Sequence, residues 1–113
     1  MKQYEIWWSH LPEPVGRRPV MLLSRNSAYD YLSRVIVGEV TSTVRGIPVE
    51  VSLGRREGLR RKCVVNLDNT HVVPRACLKA RIGALSSQRA PEVKRALGYA
   101  LDWTELKDVS ART

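Results

Sequence analysis

Two histidines, His10 and His71, and two cysteines, Cys63 and Cys77, are all this chain offers as imidazole and thiol ligands. They are too few for a histidine-built metal site and lack the paired spacing of a zinc cluster or a disulfide framework, so both thiols read as packing residues of a reducing compartment. There is also no glycine-rich phosphate loop, no His-Glu-x-x-His helix and no paired nucleophile signature. Most metal and cofactor enzymes thereby lose their sequence support, and no cofactor and no metal is expected. Any catalysis has to come from arginine, threonine, serine, aspartate, glutamate or a lone histidine. Lysine and arginine number 19 against 11 acidic residues, a formal charge of +8. Such a field attracts polyanions and speeds encounter with them, which makes nucleic acid the leading partner class. Arg55, Arg56, Arg60, Arg61 and Lys62 cluster around Gly58, either to track an RNA backbone or as a solvated hairpin tip.

Short strands must position these groups. At 113 residues the chain has room for a single core and is read as one domain, 1–113. Residues 4–11 are aromatic and β-branched and run into Pro12 and Pro14, a strand ending in a loop. Residues 19–24 are apolar almost throughout, as in a strand buried on both faces. Asn26, Ser27 and Asp30 mark a turn, with Tyr29 and Leu32 to anchor one helical turn. Residues 35–42 form a third strand ending near Thr41, in which Gly38 suggests a bulge. Residues 49–53 alternate at period two. Residues 63–67 and 71–73 read as two strands flanking Asp68, Asn69 and Thr70, and residues 80–85 as a last one. Five to seven strands at this spacing predict a closed or nearly closed barrel. Helical spacing is strong only near the C-terminus: Pro91 suits a first turn, and Val93, Ala96, Leu97, Ala100 and Leu101 share a face that Trp103 and Leu106 extend loosely. A polar tail follows from about residue 107, flexible by its composition. The N-terminus lacks the apolar core of a signal peptide and no apolar run reaches membrane-spanning length, so a cytoplasmic protein without membrane association is expected.

Gly16-Arg17-Arg18-Pro19-Val20, followed by an apolar strand and a polar turn holding Asn26, resembles the Gly-x-Arg-Pro-Val stretch of the MazF/PemK family of RNA-cleaving toxins. Further matches follow in family order: Glu5-Ile6-Trp7, then Val40-Thr41-Ser42-Thr43 ahead of Ile47-Pro48, Gly58-Leu59, Asn66-Leu67-Asp68-Asn69, Ile82-Gly83-Ala84-Leu85-Ser86 and a final amphipathic helix. None of these pieces is specific alone, but their order spans nearly the whole chain. The resemblance implies a mainly β fold, an SH3-like small barrel with a C-terminal helix, working as a homodimer. It also implies a type II toxin that cleaves single-stranded RNA without a metal. The ribose 2′-OH attacks the neighbouring phosphate to leave a 2′,3′-cyclic phosphate, and an acidic MazE-like antitoxin occludes the groove.

Arg18 matches the family's catalytic arginine, and a guanidinium that stays charged can fork two hydrogen bonds onto phosphate oxygens. Thr41 matches the motif threonine, whose hydroxyl can donate to a phosphoryl oxygen as it gains charge. Ser42 and Thr43 are rivals for that role, because a one-residue error in register would exchange them. Arg17, Ser42, Thr43, Arg55, Arg56 and Arg61 are the candidate RNA contacts. The chain departs from the family in the loop after its first strand, residues 11–17, which is short and lacks the usual Ser-Glu-Gln stretch. That leaves the general base open between Glu13 and His10, each with a non-catalytic reading beside it. Trp7 and Trp8 point to opposite faces, so at most one is core and the other can stack a base or join a dimer interface. Two alternatives remain: a CcdB-like gyrase poison of the same fold, indifferent to Arg18 and Thr41, and a non-catalytic RNA-binding barrel.

Overall fold

The computed structural model describes residues 1–109. It has six strands, β1 (Glu5–His10), β2 (Arg17–Leu22), β3 (Arg34–Thr41), β4 (Glu50–Leu53), β5 (Cys63–Pro74) and β6 (Leu78–Ala84), with helices α1 (Ala28–Tyr31), α2 (Ala90–Leu101) and α3 (Thr104–Lys107). The strands form one antiparallel sheet in the order β4-β5-β3-β2-β1-β6. Mainly β with a C-terminal helix therefore matches the sequence reading, and six strands fall inside the expected range.

Closure does not follow. The edge strands β4 and β6 are not paired with each other, so the sheet is open rather than a closed barrel. β4 is too short to reach β6: the chain leaves the ladder at Gly54 into a 3-10 turn, Arg55–Glu57. That turn meets β6 instead. A Cβ on Gly83 would lie 2.0 Å from the Glu57 carbonyl oxygen, and one on Gly58 would lie 2.4 Å from that of Ile82. Gly58 also sits at φ +92°, where side chains are disfavoured. The turn after β4 and the edge strand β6 thus touch backbone to backbone without a ladder.

The sheet buries side chains on both faces, which is why β2 alternates between two cores. Met21 joins Ile6, Val40, Val65 and Leu67 beneath α2. Val20 and Leu22 join Val35, Val37 and Val73 beside Tyr29 of α1. Burying each such side chain is worth roughly 1.5–3 kcal/mol. Tyr29 anchors its helical turn, donating from its hydroxyl to the Ser24 carbonyl at 3.0 Å, whereas Leu32 is exposed and does not.

Two strands expected around residues 68–70 are one, β5, which bends. Glu39 pairs with Asn66 and Gly38 with Thr70, so residues 67–69 have no partner on β3. This is the bulge that Gly38 suggested; a Cβ there would lie 2.9 Å from a Val65 methyl.

In α2, Val93 and Ala96 are buried, and Leu97 and Ala100 pack against the core as the helical spacing predicts. Leu101 and Trp103 do not continue that face; they are 58% and 50% exposed. The helix stops at Asp102, which takes a left-handed conformation, and the chain reverses into α3. Leu106 then packs over Gly98, where an added Cβ would lie 2.8 Å from the Leu106 Cβ. The polar tail begins in this last turn, and residues 110–113 lie outside those described. Cys63 and Cys77 are free thiols, and burial pushes the Cys63 thiol up against the opposing pull of Arg61. Among the described residues no helix is long and apolar enough to cross a membrane.

Candidate active site

β2 begins at Arg17, two residues before the apolar run, so Arg17 and Arg18 are strand residues rather than loop residues. Their backbone is pinned by β1. His10 opposes Arg17 and Ser9 opposes Arg18, and the buried Ser9 hydroxyl donates to the Arg18 carbonyl at 2.8 Å. On the other side of β2, Val20 pairs with Glu39. Moving two residues along each antiparallel strand from that pair reaches Arg18 on β2 and Thr41 on β3. Side chains two apart share a face, so Arg18, Glu39 and Thr41 meet at one end of the sheet.

Thr41 ends β3. Its Oγ1 accepts the Thr43 backbone N–H at 3.1 Å, which turns the chain and leaves the hydroxyl proton free to be donated elsewhere. Beyond the end of β3, Ser42 and Thr43 are exposed.

A groove of about 750 Å³ opens here, lined by Arg17, Arg18, Thr41, Ser42 and Thr43 from the sheet ends and by Gly58, Leu59, Arg60 and Arg61 from the loop before β5. Trp8, Pro19, Val40, Cys63 and Ile82 complete its lining. The loop is held from below. Leu59 is in the core, and Glu57, 5% exposed, accepts the Gly54 N–H at 2.7 Å and pairs with Arg89 at 3.4 Å. With Leu59 pinned inward, Arg60 and Arg61 are left on the exposed side. Among the described residues four arginines and no carboxylate line the groove, an arrangement suited to a chain of phosphates.

Of the residues singled out from the sequence, Arg17, Arg18, Thr41, Ser42, Thr43 and Arg61 are brought together. Arg55 and Arg56 are not; they project from the exposed face of the 3-10 turn. Neither candidate base lines the groove. Glu13 is exposed and folds over Gly16 of its own loop, and His10 lines a separate hollow with Arg34, His71 and Cys77. Trp7 packs against the second core and donates its indole N–H to Glu5 at 3.0 Å. Trp8 is the tryptophan of the groove.

Sequence reasoning missed Glu39 and His71. The Glu39 side chain, 12% exposed, holds His71 Nε2 through one carboxylate oxygen at 2.5 Å and faces Arg18 Nε through the other at 3.8 Å. The residues are far apart in sequence and belong to three strands, so no local pattern announces them. Only the β2-β3-β5 register does. Among the described residues no group of three or more His, Cys, Asp or Glu side chains is placed to hold a metal ion.

The chain is thus a small, mainly β protein with one open antiparallel sheet, a helix across one face and an arginine-lined groove at the ends of β2 and β3. The family of PemK-like, MazF-like toxins of type II toxin–antitoxin systems matches residues 2–101, and the chain belongs to it. The chain is 39% identical over 99 residues to the probable endoribonuclease MazF5 of Mycobacterium tuberculosis (strain ATCC 25618 / H37Rv), covering 87% of this chain and 90% of that protein. It superposes with a TM-score of 0.82 on the Mycobacterium tuberculosis toxin MazF-mt6, at 35% identity over 87% of this chain and 96% of that one. A mycobacterial endoribonuclease solved in complex with its cognate antitoxin shares the fold, with a TM-score of 0.79 at 22% identity over 91% of this chain and 96% of that one.

Proposed function

We propose that this protein is the toxin of a toxin–antitoxin pair and an endoribonuclease that cuts single-stranded RNA at a short recurring motif in the cytoplasm, inhibiting translation and growth. The observation that carries the reading is the meeting of Arg18 and Thr41 in a groove that, among the described residues, is lined by four arginines and no carboxylate. The names of its relatives support the same activity.

The nucleophile is the substrate's own 2′-OH, so the protein needs to hold the phosphate in line, neutralise its growing charge and manage protons. The 2′-oxygen–phosphorus bond forms as the bond to the 5′-oxygen breaks; the 2′-OH gives its proton to water and the departing 5′-oxygen takes one from water, leaving a 2′,3′-cyclic phosphate and a 5′-OH. Arg18 forks onto the non-bridging oxygens, and Thr41 donates its free hydroxyl proton to the same developing charge. Glu39 fixes the Arg18 side chain from behind while His71 occupies the second carboxylate oxygen. Arg17, Ser42, Thr43 and Arg61 hold the flanking nucleotides, and Arg55 and Arg56 meet only a strand that leaves the groove. His10 and Glu13 are not assigned the general base.

A homodimer and an acidic, MazE-like antitoxin belong to the same proposal, because a groove of arginines attracts an acidic segment as it attracts RNA. Such a complex should weaken with salt.

Incubating the purified protein with a long single-stranded RNA in excess EDTA, then mapping fragment ends, tests the reading. Cuts at a recurring motif ending in 2′,3′-cyclic phosphate are expected. Intact RNA overturns it.

A further inference from the structure

Trp8 differs from its neighbour in what it does for the fold. Trp7 is packed into a core and its indole N–H is satisfied. Trp8 belongs to neither core cluster, and among the described residues its indole N–H has no protein acceptor. Yet its backbone is held on both sides, opposite Pro19 on β2 and Ala80 on β6. Neither cross-strand neighbour has a long side chain to cover the ring, so a rigid strand presents an aromatic plane to the groove. The Arg17 guanidinium lies over that plane, 4.1 Å from the ring centroid, showing that a flat group fits face-on there. Arg17 is exposed, and among the described residues no carboxylate pairs with it.

We propose that Trp8 is a nucleobase platform and Arg17 its movable cover. One base of the bound strand stacks on the indole, and Arg17 turns outward onto an adjoining phosphate. This rests on the reading of the groove as an RNA site and adds to it a specific subsite for a base, one or two nucleotides from the phosphate held by Arg18. Stacking suits any base because each has a π face, and it outweighs an exposed cation–π contact, so displacement of Arg17 is favourable. The free indole N–H adds a single donor toward the sugar or phosphate, which have acceptors.

The test uses a short RNA containing the mapped cleavage motif, blocked by a 2′-O-methyl group at the cut, and a series in which each nucleotide in turn is abasic. Trp8→Leu should weaken binding by about ten- to a hundredfold, and Trp8→Phe, which keeps a ring, should recover most of it. At one position the abasic RNA should cost the wild type a similar factor and cost Trp8→Leu nothing further. In the Trp7→Phe/Trp103→Phe protein, where Trp8 is the sole tryptophan, the blocked RNA should quench its emission, a readout that survives even if Trp8→Leu does not fold. Unchanged binding by Trp8→Leu, equal abasic costs in both proteins, or unquenched Trp8 emission overturns the platform. If the wild type cuts and binds RNA while any of these is seen, only the platform fails. If it does neither, the RNA reading of the groove fails with it.

Discussion

Arg89 and Arg18 both stand beside a mostly buried glutamate, and they are used in opposite ways. The Arg89 guanidinium is close to saturated: it donates to both Glu92 oxygens at 2.8 Å, to the Ser52 carbonyl at 2.7 Å and to Glu57 at 3.4 Å. Hydrogen bonding to Glu92 raises its pKa, against the opposing effect of burial, and the same bond holds the Glu92 carboxyl below its usual range. Among the described residues Arg18 has one carboxylate contact, at 3.8 Å, and that carboxylate already serves His71. A guanidinium whose donors are spent holds the protein together, and one whose donors are free can hold a ligand. The loop after β4 ties the two regions together, since Arg89 clamps its base through Glu57 while Arg60 and Arg61 at its far end line the groove.

The clamp breaks most severely at its backbone. Gly83→Ala places a Cβ 2.0 Å from the Glu57 carbonyl, and urea unfolding should show a loss of about 3 kcal/mol or more, or no folded protein at all. Arg89→Met is next: it strands the buried Glu57 carboxylate and should cost about 1–3 kcal/mol, whereas Arg18→Met, at an arginine with little to lose, should cost under about 0.5 kcal/mol. Equal losses would erase the distinction between the two arginines.

Acid should sharpen it. The Glu92 pKa is lowered in the fold, so its contribution is fully present above the ordinary carboxylate value and is lost as pH falls through the lowered one. Unfolding measured from neutral pH downward should show that acid limb in the wild type and a shallower one in Arg89→Met. At Glu39→Gln the expected effect is kinetic, with stability left within about 1 kcal/mol. The substitution should lower kcat severalfold with KM little changed, as loss of a side chain that aims Arg18 would.

Much of this was legible in local pattern because local pattern has a local cause. β-branched runs and helical spacing located the strands and α2, and the ordered motifs pointed to Arg18 and Thr41 before any geometry was known. What could not be read depends on distant partners. Whether β4 reaches β6 turns on where the chain leaves the ladder at Gly54, and the 3-10 turn that replaces closure looks in sequence like an ordinary charged loop, with nothing to mark Glu57 as buried. Alternation separates Trp7 from Trp8 but does not say which of the two a core covers. The bulge at Gly38 was foreseeable, yet its consequence, one bent β5 in place of two strands, needed the register with β3. Glu39 and His71 become a pair only through the register of β3 with β5, and Arg18 joins them through that of β2 with β3.

The most direct test sets the two arginines against each other in one assay: RNA cleavage in excess EDTA by the wild type, Arg18→Ala and Arg89→Met, each compared at equal folded concentration. Arg18→Ala should keep its thermal stability and lose about 10²- to 10³-fold in kcat, with the cyclic phosphate ends disappearing in step, while folded Arg89→Met should cut near the wild-type rate. Cleavage that survives in Arg18→Ala, or that falls equally in both variants, would contradict the assignment of the groove as the active site.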